Sequence, residues 1–265
     1  MEYAVHSYTT KSNLHSNNED NHFICEDYIV IADGMGGECD GDIASRIAVE
    51  SIVSILSQEL SDKLSDSEIK EVSCRAINTS DTKILKYIDE HPDSFGMGTT
   101  VLLAIRKLDK LYISWCGDSR CYLYKDGKVS SLTKDHSYVQ ELIDSGHISV
   151  EESFTHPNNN LITRYVGGGH ETCMPDFCSH RISDNEIIVL CSDGLSGYCR
   201  QNDIAEEISR ITAVDKLPKF LSDMAIRHGS EDDITIVTLV PRSYIPHRTF
   251  GLKFDWLRRI LHPYR

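Results

Sequence analysis

Three apolar runs in this sequence end in an aspartate set beside a glycine. Residues 29–32 run into Asp33-Gly34, residues 111–116 into Gly117-Asp118, and residues 186–191 into Ser192-Asp193-Gly194. Asp232 enters a fourth apolar run, 234–240, from its N-terminal side, and Glu19-Asp20 precedes another around Phe23. A carboxylate at the mouth of a buried strand is held rigidly by the ladder behind it. An adjacent glycine lets backbone and ligand approach closely. Hard cations take oxygen ligands of this kind. Any one Asp-Gly could instead be a turn. Lys125-Asp126-Gly127-Lys128 joins two alternating runs and is read as a hairpin turn only. The other pairs differ because they recur at the ends of the most apolar runs. Anions gathered on one edge repel one another unless cations neutralise them. The set therefore predicts a carboxylate cluster holding two or more Mg2+ or Mn2+ ions. Such ions acidify water and clamp phosphoryl oxygens, which suits phosphate-ester hydrolysis.

The elements that must position these residues follow from periodicity. Residues 3–8 alternate as a first strand, and a polar loop, 11–21, leads to a second strand around 23–25. Ser45 is expected to open a helix whose apolar face is Val49, Ile52, Val53, Leu56 and Leu60. A second helix is expected from about Ser67, as N-cap, to Glu90, stopped by Pro92. Strands follow at 99–106, 111–116, 120–124 and 129–132. The stretch 133–169 is irregular, with a short helix expected over 136–144, and reads as a working flap or a plain loop. Strands resume at 174–181 and 186–191. Two helices come next, the better one carrying Leu217, Phe220, Leu221, Met224 and Ala225 and stopping at Gly229.

Composition narrows the class. With 265 residues, 40% of them hydrophobic, the chain can build a substantial core. Its net charge of −14 argues against nucleic acid as the main partner. It does not argue against phosphorylated ligands, because a local cation inverts the field of a site. The nine cysteines form no Cys-x-x-Cys pair and several lie in apolar runs, so reduced thiols and a cytoplasmic location are expected. Residues 1–6 lack the basic and apolar regions of a signal peptide, and no run approaches the ~20 apolar residues of a membrane span.

Eight short motifs occur in order: Asn18-Glu19-Asp20, Ala32-Asp33-Gly34-Met35-Gly36-Gly37, Gly98-Thr99-Thr100, Cys116-Gly117-Asp118-Ser119-Arg120, Leu132-Thr133-Lys134-Asp135-His136-Ser137, Ile162-Thr163-Arg164, Ser192-Asp193-Gly194-Leu195 and Asp232-Asp233-Ile234-Thr235. Together they resemble the metal-dependent serine/threonine phosphatases of the protein phosphatase 2C (PPM) family, and the Asp-Gly-Met-Gly-Gly form is most similar to the compact bacterial branch. The resemblance spans about residues 3–240. It implies an α+β fold, a four-layer α-β-β-α sandwich of two antiparallel sheets flanked by helix pairs. It implies two metals at one edge, bridged by Asp33, with Glu19 and the Gly34 carbonyl on one ion and Asp193 and Asp232 on the other. Asp20 would orient waters, and Asp118, with Asp193 shared, would help hold a third, weaker ion. A metal-bridging hydroxide would attack phosphorus in line, in a monomeric enzyme acting on phosphorylated proteins and opposing a kinase.

The sequence departs from the family pattern at several positions. Where many members carry an Arg that grips the substrate phosphate, this chain has His15, which can do so only when protonated. This departure keeps alive an alternative reading, a catalytically weak pseudophosphatase that binds phosphoproteins. A small-molecule phosphomonoesterase is a third reading. Met35 replaces a His, which leaves the general acid unassigned. Glu38 and Gly197 also depart, and Gly197 leaves the third ion fewer ligands. Residues 241–265 lie outside the resemblance. They carry six Arg or Lys against Asp255 alone, with an apolar patch of Phe254, Trp256, Leu257, Ile260 and Leu261. This basic amphipathic tail is expected to dock on the acidic body, with a membrane-surface or partner contact as the alternative.

Overall fold

The computed structural model describes residues 2–36, 40–169, 171 and 173–244. Its strands are β1 (Tyr3–Thr10), β2 (Asp20–Ile24), β3 (Tyr28–Met35), β4 (Gly98–Thr99), β5 (Val101–Lys107), β6 (Lys110–Cys116), β7 (Arg120–Lys125), β8 (Lys128–Ser131), β9 (Asp176–Arg181), β10 (Ile187–Cys191) and β11 (Ile234–Pro241). The helices are α1 (Gly41–Glu59), α2 (Asp66–Glu90), α3 (Tyr138–Asp144), α4 (Val150–Ser153), α5 (Asp193–Ser196), α6 (Gln201–Arg210) and α7 (Leu217–Arg227).

Strand alternation builds the layers. Tyr28, Val30 and Ala32 of β3, with Val101, Leu103 and Ile105 of β5, face α1 and α2 in one apolar cluster. The intervening Ile29, Ile31, Leu102 and Ala104 meet Ile188, Leu190, Val237 and Leu239 in a second cluster between the sheets. The other face of β10 and β11 packs against Leu195, Ile204, Ile208, Leu217 and Leu221 of α5, α6 and α7. Strands buried on both faces must be apolar at every position, which accounts for the unbroken runs in the sequence. One sheet has the order β1-β11-β10-β7-β8. The other has β2-β3-β5-β6-β9, with β4 paired to β3. Neighbouring strands in both sheets run antiparallel. This is the expected four-layer α-β-β-α sandwich.

Several boundaries differ from the expectations. The first helix begins at Gly41, four residues before Ser45. The second is capped by Ser65, two residues before Ser67; the Ser65 hydroxyl accepts from the Glu68 N–H while the Glu68 carboxylate accepts from the Ser65 N–H. The expected strand at 99–106 is two strands interrupted at Thr100, whose N–H donates to the Asp33 carbonyl. The second strand starts at Asp20, and the one expected from 174 starts at Asp176. Asp193 does not end a strand; it opens α5, behind Ser192. Phe220, expected on the apolar face of its helix, is exposed. The Asp126-Gly127 hairpin turn forms as expected, with φ of 49° and 79°, between paired β7 and β8. Glu38, Gly37 and residues 245–265, which include nearly all of the basic tail, lie outside the described residues. Tyr244 packs against the α5–α7 cluster and Arg242 pairs with Glu2.

Candidate active site

Register places the first two carboxylates. Asp20 of β2 lies directly opposite Asp33 of β3. Asp33 shares the parity of Ile29 and Ile31, so both carboxylates point into the gap between the sheets. Like charges directly opposite across a ladder are destabilising. The two sheets converge here. β6 ends in Gly117-Asp118 as the chain crosses to β7 in the other sheet, and β10 delivers Ser192-Asp193 from that sheet. The Ser192 hydroxyl donates to Asp20 Oδ2 at 2.8 Å, which ties the sheets together at the cluster. Asp33 and Asp193 are within hydrogen-bonding contact of each other. Thr100 accepts from the Asp33 N–H and its hydroxyl bonds that of Ser119, 2.7 Å away.

Glycines let these termini close. A Cβ on Gly34 would lie 2.0 Å from the Gly41 carbonyl oxygen and 2.7 Å from that of Glu19. A Cβ on Gly41 would lie 2.4 Å from Glu19 Oε2. Gly34, Gly41 and the Glu19 carboxylate therefore share one small volume at this edge. Gly117, at φ 120°, is in the left-handed region as well as against Thr100.

The electrostatics are those of anions short of counter-charge. Burial pushes the Asp20 carboxyl up to about 8, opposed by its hydroxyl donors and reinforced by Asp193 and Asp233. Burial, then repulsion from Asp193 and its neighbours, holds Asp33 and Asp118 well above the usual carboxylate range. Burial also raises Asp193, and it lifts Asp232 to about 6 with Asp193 adding repulsion. Glu19 is raised by burial too. Among the described residues, Asp20 Oδ1, Asp118 Oδ1 and Asp193 Oδ1 are shut off from solvent with no hydrogen-bond partner. Buried acceptors are ordinarily satisfied. Unpartnered oxygens on hard carboxylates, with protonation favoured over charge, fit a site built for divalent cations.

All the site residues expected from the sequence except His15 contribute a carboxylate or a backbone turn to this one edge. His15 lies beside it. Its Nδ1 is 3.1 Å from Asp233 Oδ2, and hydrogen bonding to Asp233 raises its pKa above the ordinary histidine value. His15, Asp232 and Asp233 bring potential ligand atoms within 4.8 Å of one another. Asp233 was assigned no role from the sequence. It is buried and accepts from the N–H groups of Ser12 at 2.6 Å and Glu19 at 2.7 Å, so it fixes the loop that presents both Glu19 and His15. The signal for it was the second acid of Asp232-Asp233, in the bend just before β11, where the Asp233 N–H also donates to Asp232 Oδ1 at 2.7 Å. Arg120 and Asp135 were also without a role. Arg120 donates to Asp135 through Nε and Nη2, to the Tyr122 hydroxyl and to the Ser196 carbonyl, bracing α5 behind Asp193.

Comparison with known proteins agrees with this architecture. The family model described as Protein phosphatase 2C matches residues 13–233. The chain is 32% identical over 235 residues to the serine/threonine phosphatase stp of Listeria monocytogenes, covering 86% of this chain and 92% of that one. It is 31% identical over 237 residues to the serine/threonine protein phosphatase PstP of Mycobacterium tuberculosis, covering 89% of this chain but only 44% of that longer one. The solved catalytic domain of PstP in complex with 2 manganese ions superposes with a TM-score of 0.76 at 28% identity, over 90% of this chain and 98% of that one. The chain belongs to the protein phosphatase 2C family.

Proposed function

We propose that this chain is a metal-dependent protein phosphatase that hydrolyses phosphoserine and phosphothreonine in proteins, using two Mn2+ or Mg2+ ions and a third, weaker one. The observation that carries the reading is the cluster of raised, partly unpartnered carboxylates at the edge where the sheets meet. Asp33 would serve both ions, Glu19 and the Gly34 carbonyl one of them, Asp193 and Asp232 the other; Asp118 and Asp193 would take the third. When bound, such ions acidify water and stabilise charge on the phosphoryl oxygens. The chain's own residues do the positioning. Ser192 and the Asp20 carboxyl lock the two sheets at the site. Thr100 and Ser119 hold the backbone of Asp33, and the Arg120–Asp135 pair holds the turn that starts at Asp193. Asp233 favours the imidazolium form of His15, which suits it to meet a phosphate oxygen as a cation.

The named activities of stp and PstP support the protein-phosphatase class. The full carboxylate set favours turnover over a non-catalytic phosphoprotein-binding module. The physiological substrate would be a protein phosphorylated by a serine/threonine kinase, and we place the enzyme as a cytoplasmic monomer. Residues 1–240 would form the catalytic unit, with 241–265 appended as a tail for docking on the body or on a partner or membrane surface. No helix among the described residues is long and apolar enough to cross a membrane.

The test is phosphate release from a phosphothreonine peptide with Mn2+, with chelator, and with Asp193→Asn. Metal-dependent turnover that falls on the order of 10^3-fold in the variant is expected. Absence of turnover in a folded protein shown to bind metal would overturn the reading.

A further inference from the structure

The carboxylate edge does not stop at Asp193. A narrow pocket lined by Asp118, Asp193 and Gly197 continues past Arg120, Asp135, Ser153 and Phe154. Those four residues also line a larger cleft of about 370 Å3 between the flap helices and the start of α6. The two spaces thus share a wall formed by Arg120, Asp135, Ser153 and Phe154. The cleft floor is mixed: Ser131, Thr133, Gln140 and Asn202 offer neutral hydrogen-bonding groups, and Ile143 and Phe154 offer apolar surface. A peptide continuing from a phosphorylated side chain at the centre needs this combination, since its backbone must be hydrogen-bonded and its side chains must find contact surface.

Charge selects among such peptides. Arg120 is fully engaged by Asp135. Lys134 is paired with Asp144 at 2.6 Å. The Arg200 guanidinium, exposed just before α6, forms no ion pair among the described residues, the Asp203 carboxylate being taken by the Arg200 backbone N–H at 2.8 Å, and its carbon lies 5.0 Å from the centroid of the Phe154 ring. The ring of the flap thus holds a planar, multi-donor cation in place at the cleft while leaving its charge unspent. A guanidinium arranged this way is suited to a carboxylate. Glu151 is also on the cleft, on an exposed side chain without such a platform.

We propose that the cleft between the flap and α6 binds the polypeptide flanking the phosphorylated residue, and that Arg200, held on Phe154, selects substrates with an acidic side chain in that flank. The inference rests on the phosphatase reading above and adds a substrate class to it. Arg200 is a specificity residue, remote from the reacting atoms, so its contribution is uniform binding and falls in KM while kcat is kept.

The experiment uses the full chain with Mn2+ and a set of phosphothreonine peptides in which one Asp, Ala or Lys is walked along the flanks. Turnover of para-nitrophenyl phosphate by the unsubstituted protein reports the phosphatase reading alone. The proposal predicts that kcat/KM for the best Asp-bearing peptide exceeds that of its Ala counterpart by about fivefold, the scale of one partly exposed charge-assisted contact. Arg200→Ala should collapse that ratio to about one through KM, and Arg200→Glu should move the preference to the Lys-bearing peptide. Para-nitrophenyl phosphate turnover with no discrimination among the peptides would overturn the proposal and leave the phosphatase reading standing. A preference for Lys in the unsubstituted protein, the sign that Glu151 dominates the cleft, would overturn it equally.

Discussion

Two sets of buried carboxylates sit at different places in this fold and behave oppositely. Glu186, just before β10, is buried, yet its carboxyl is held down at about 2. Burial pushes it up, but it accepts from His180 at 2.9 Å, from Lys125 at 2.9 Å and from the Ser183 N–H at 3.0 Å, and these outweigh the cost. Asp20, below the far end of the same sandwich, is also shielded from solvent, and more deeply enclosed, and rises to about 8. Its partners are hydroxyls, and its neighbours are other carboxylates. Both are shielded from solvent, but Asp20 is the more deeply enclosed of the two, and it also lacks the counter-charge that Glu186 has. The chain supplies cations where a carboxylate is structural and withholds them where the carboxylates must answer to ions from outside.

Substitutions at the two places should therefore change different observables. The largest effect expected is on catalysis: Asp193→Asn loses on the order of 10^3-fold in turnover while the fold is kept. At the other place Glu186→Gln should leave turnover per folded molecule intact but lower unfolding stability by about 3 kcal/mol, because it strands buried donors; urea denaturation reads this directly. The same amide change inside the cluster should have the reverse sign. Asp33→Asn relieves the cost of folding a carboxyl that burial and its neighbours hold out of its ionised form, so in chelator at pH 7 it is expected to stabilise the protein by about 2 kcal/mol, and a loss of stability there would break the comparison.

The pH dependence also separates the two places. Glu186 has a folded pKa below its unfolded value. Its contribution is then fully present above about pH 4.5 and is lost as pH falls toward about 2. Denaturation midpoints measured across that window should decline in the native protein and decline less in Glu186→Gln. The smallest effect concerns His15, whose pKa is raised by Asp233. Charge on the imidazole is kept below that raised value and lost as pH climbs through it, so KM for a phosphopeptide should rise several-fold over that range, while His15→Arg should flatten the profile. A KM in the native protein that is flat across that range would remove His15 from the phosphate.

Much of this was legible before the fold was seen, and for a physical reason. Asp33, Asp118 and Asp193 stand at the ends of runs that had to be buried on both faces, and a carboxylate in such a place is conspicuous. The sandwich itself followed from the family resemblance carried by motifs in order along the chain. What stayed hidden depends on long-range hydrogen bonds. Asp233 works by accepting from Ser12 and Glu19, more than two hundred residues away, and no local pattern marks that. Arg120 and Asp135 sit in quoted motifs, but their bidentate pairing appears only when β7 meets the flap. The misplaced cap at Ser67 is different, since the acid three residues after Ser65 was readable and identifies Ser65 as the cap.

The claim that the acidic edge is kept short of cations in order to receive them is tested most directly by calorimetric titration of Mn2+ into metal-stripped protein, beside the same titration of Asp33→Asn. The account predicts at least two bound ions in the native chain, a metal-induced rise in its melting temperature, and loss of tight binding in the variant even though the variant is the more stable protein in chelator. A folded native chain that takes up no Mn2+, or an Asp33→Asn variant that binds it equally well, would contradict it.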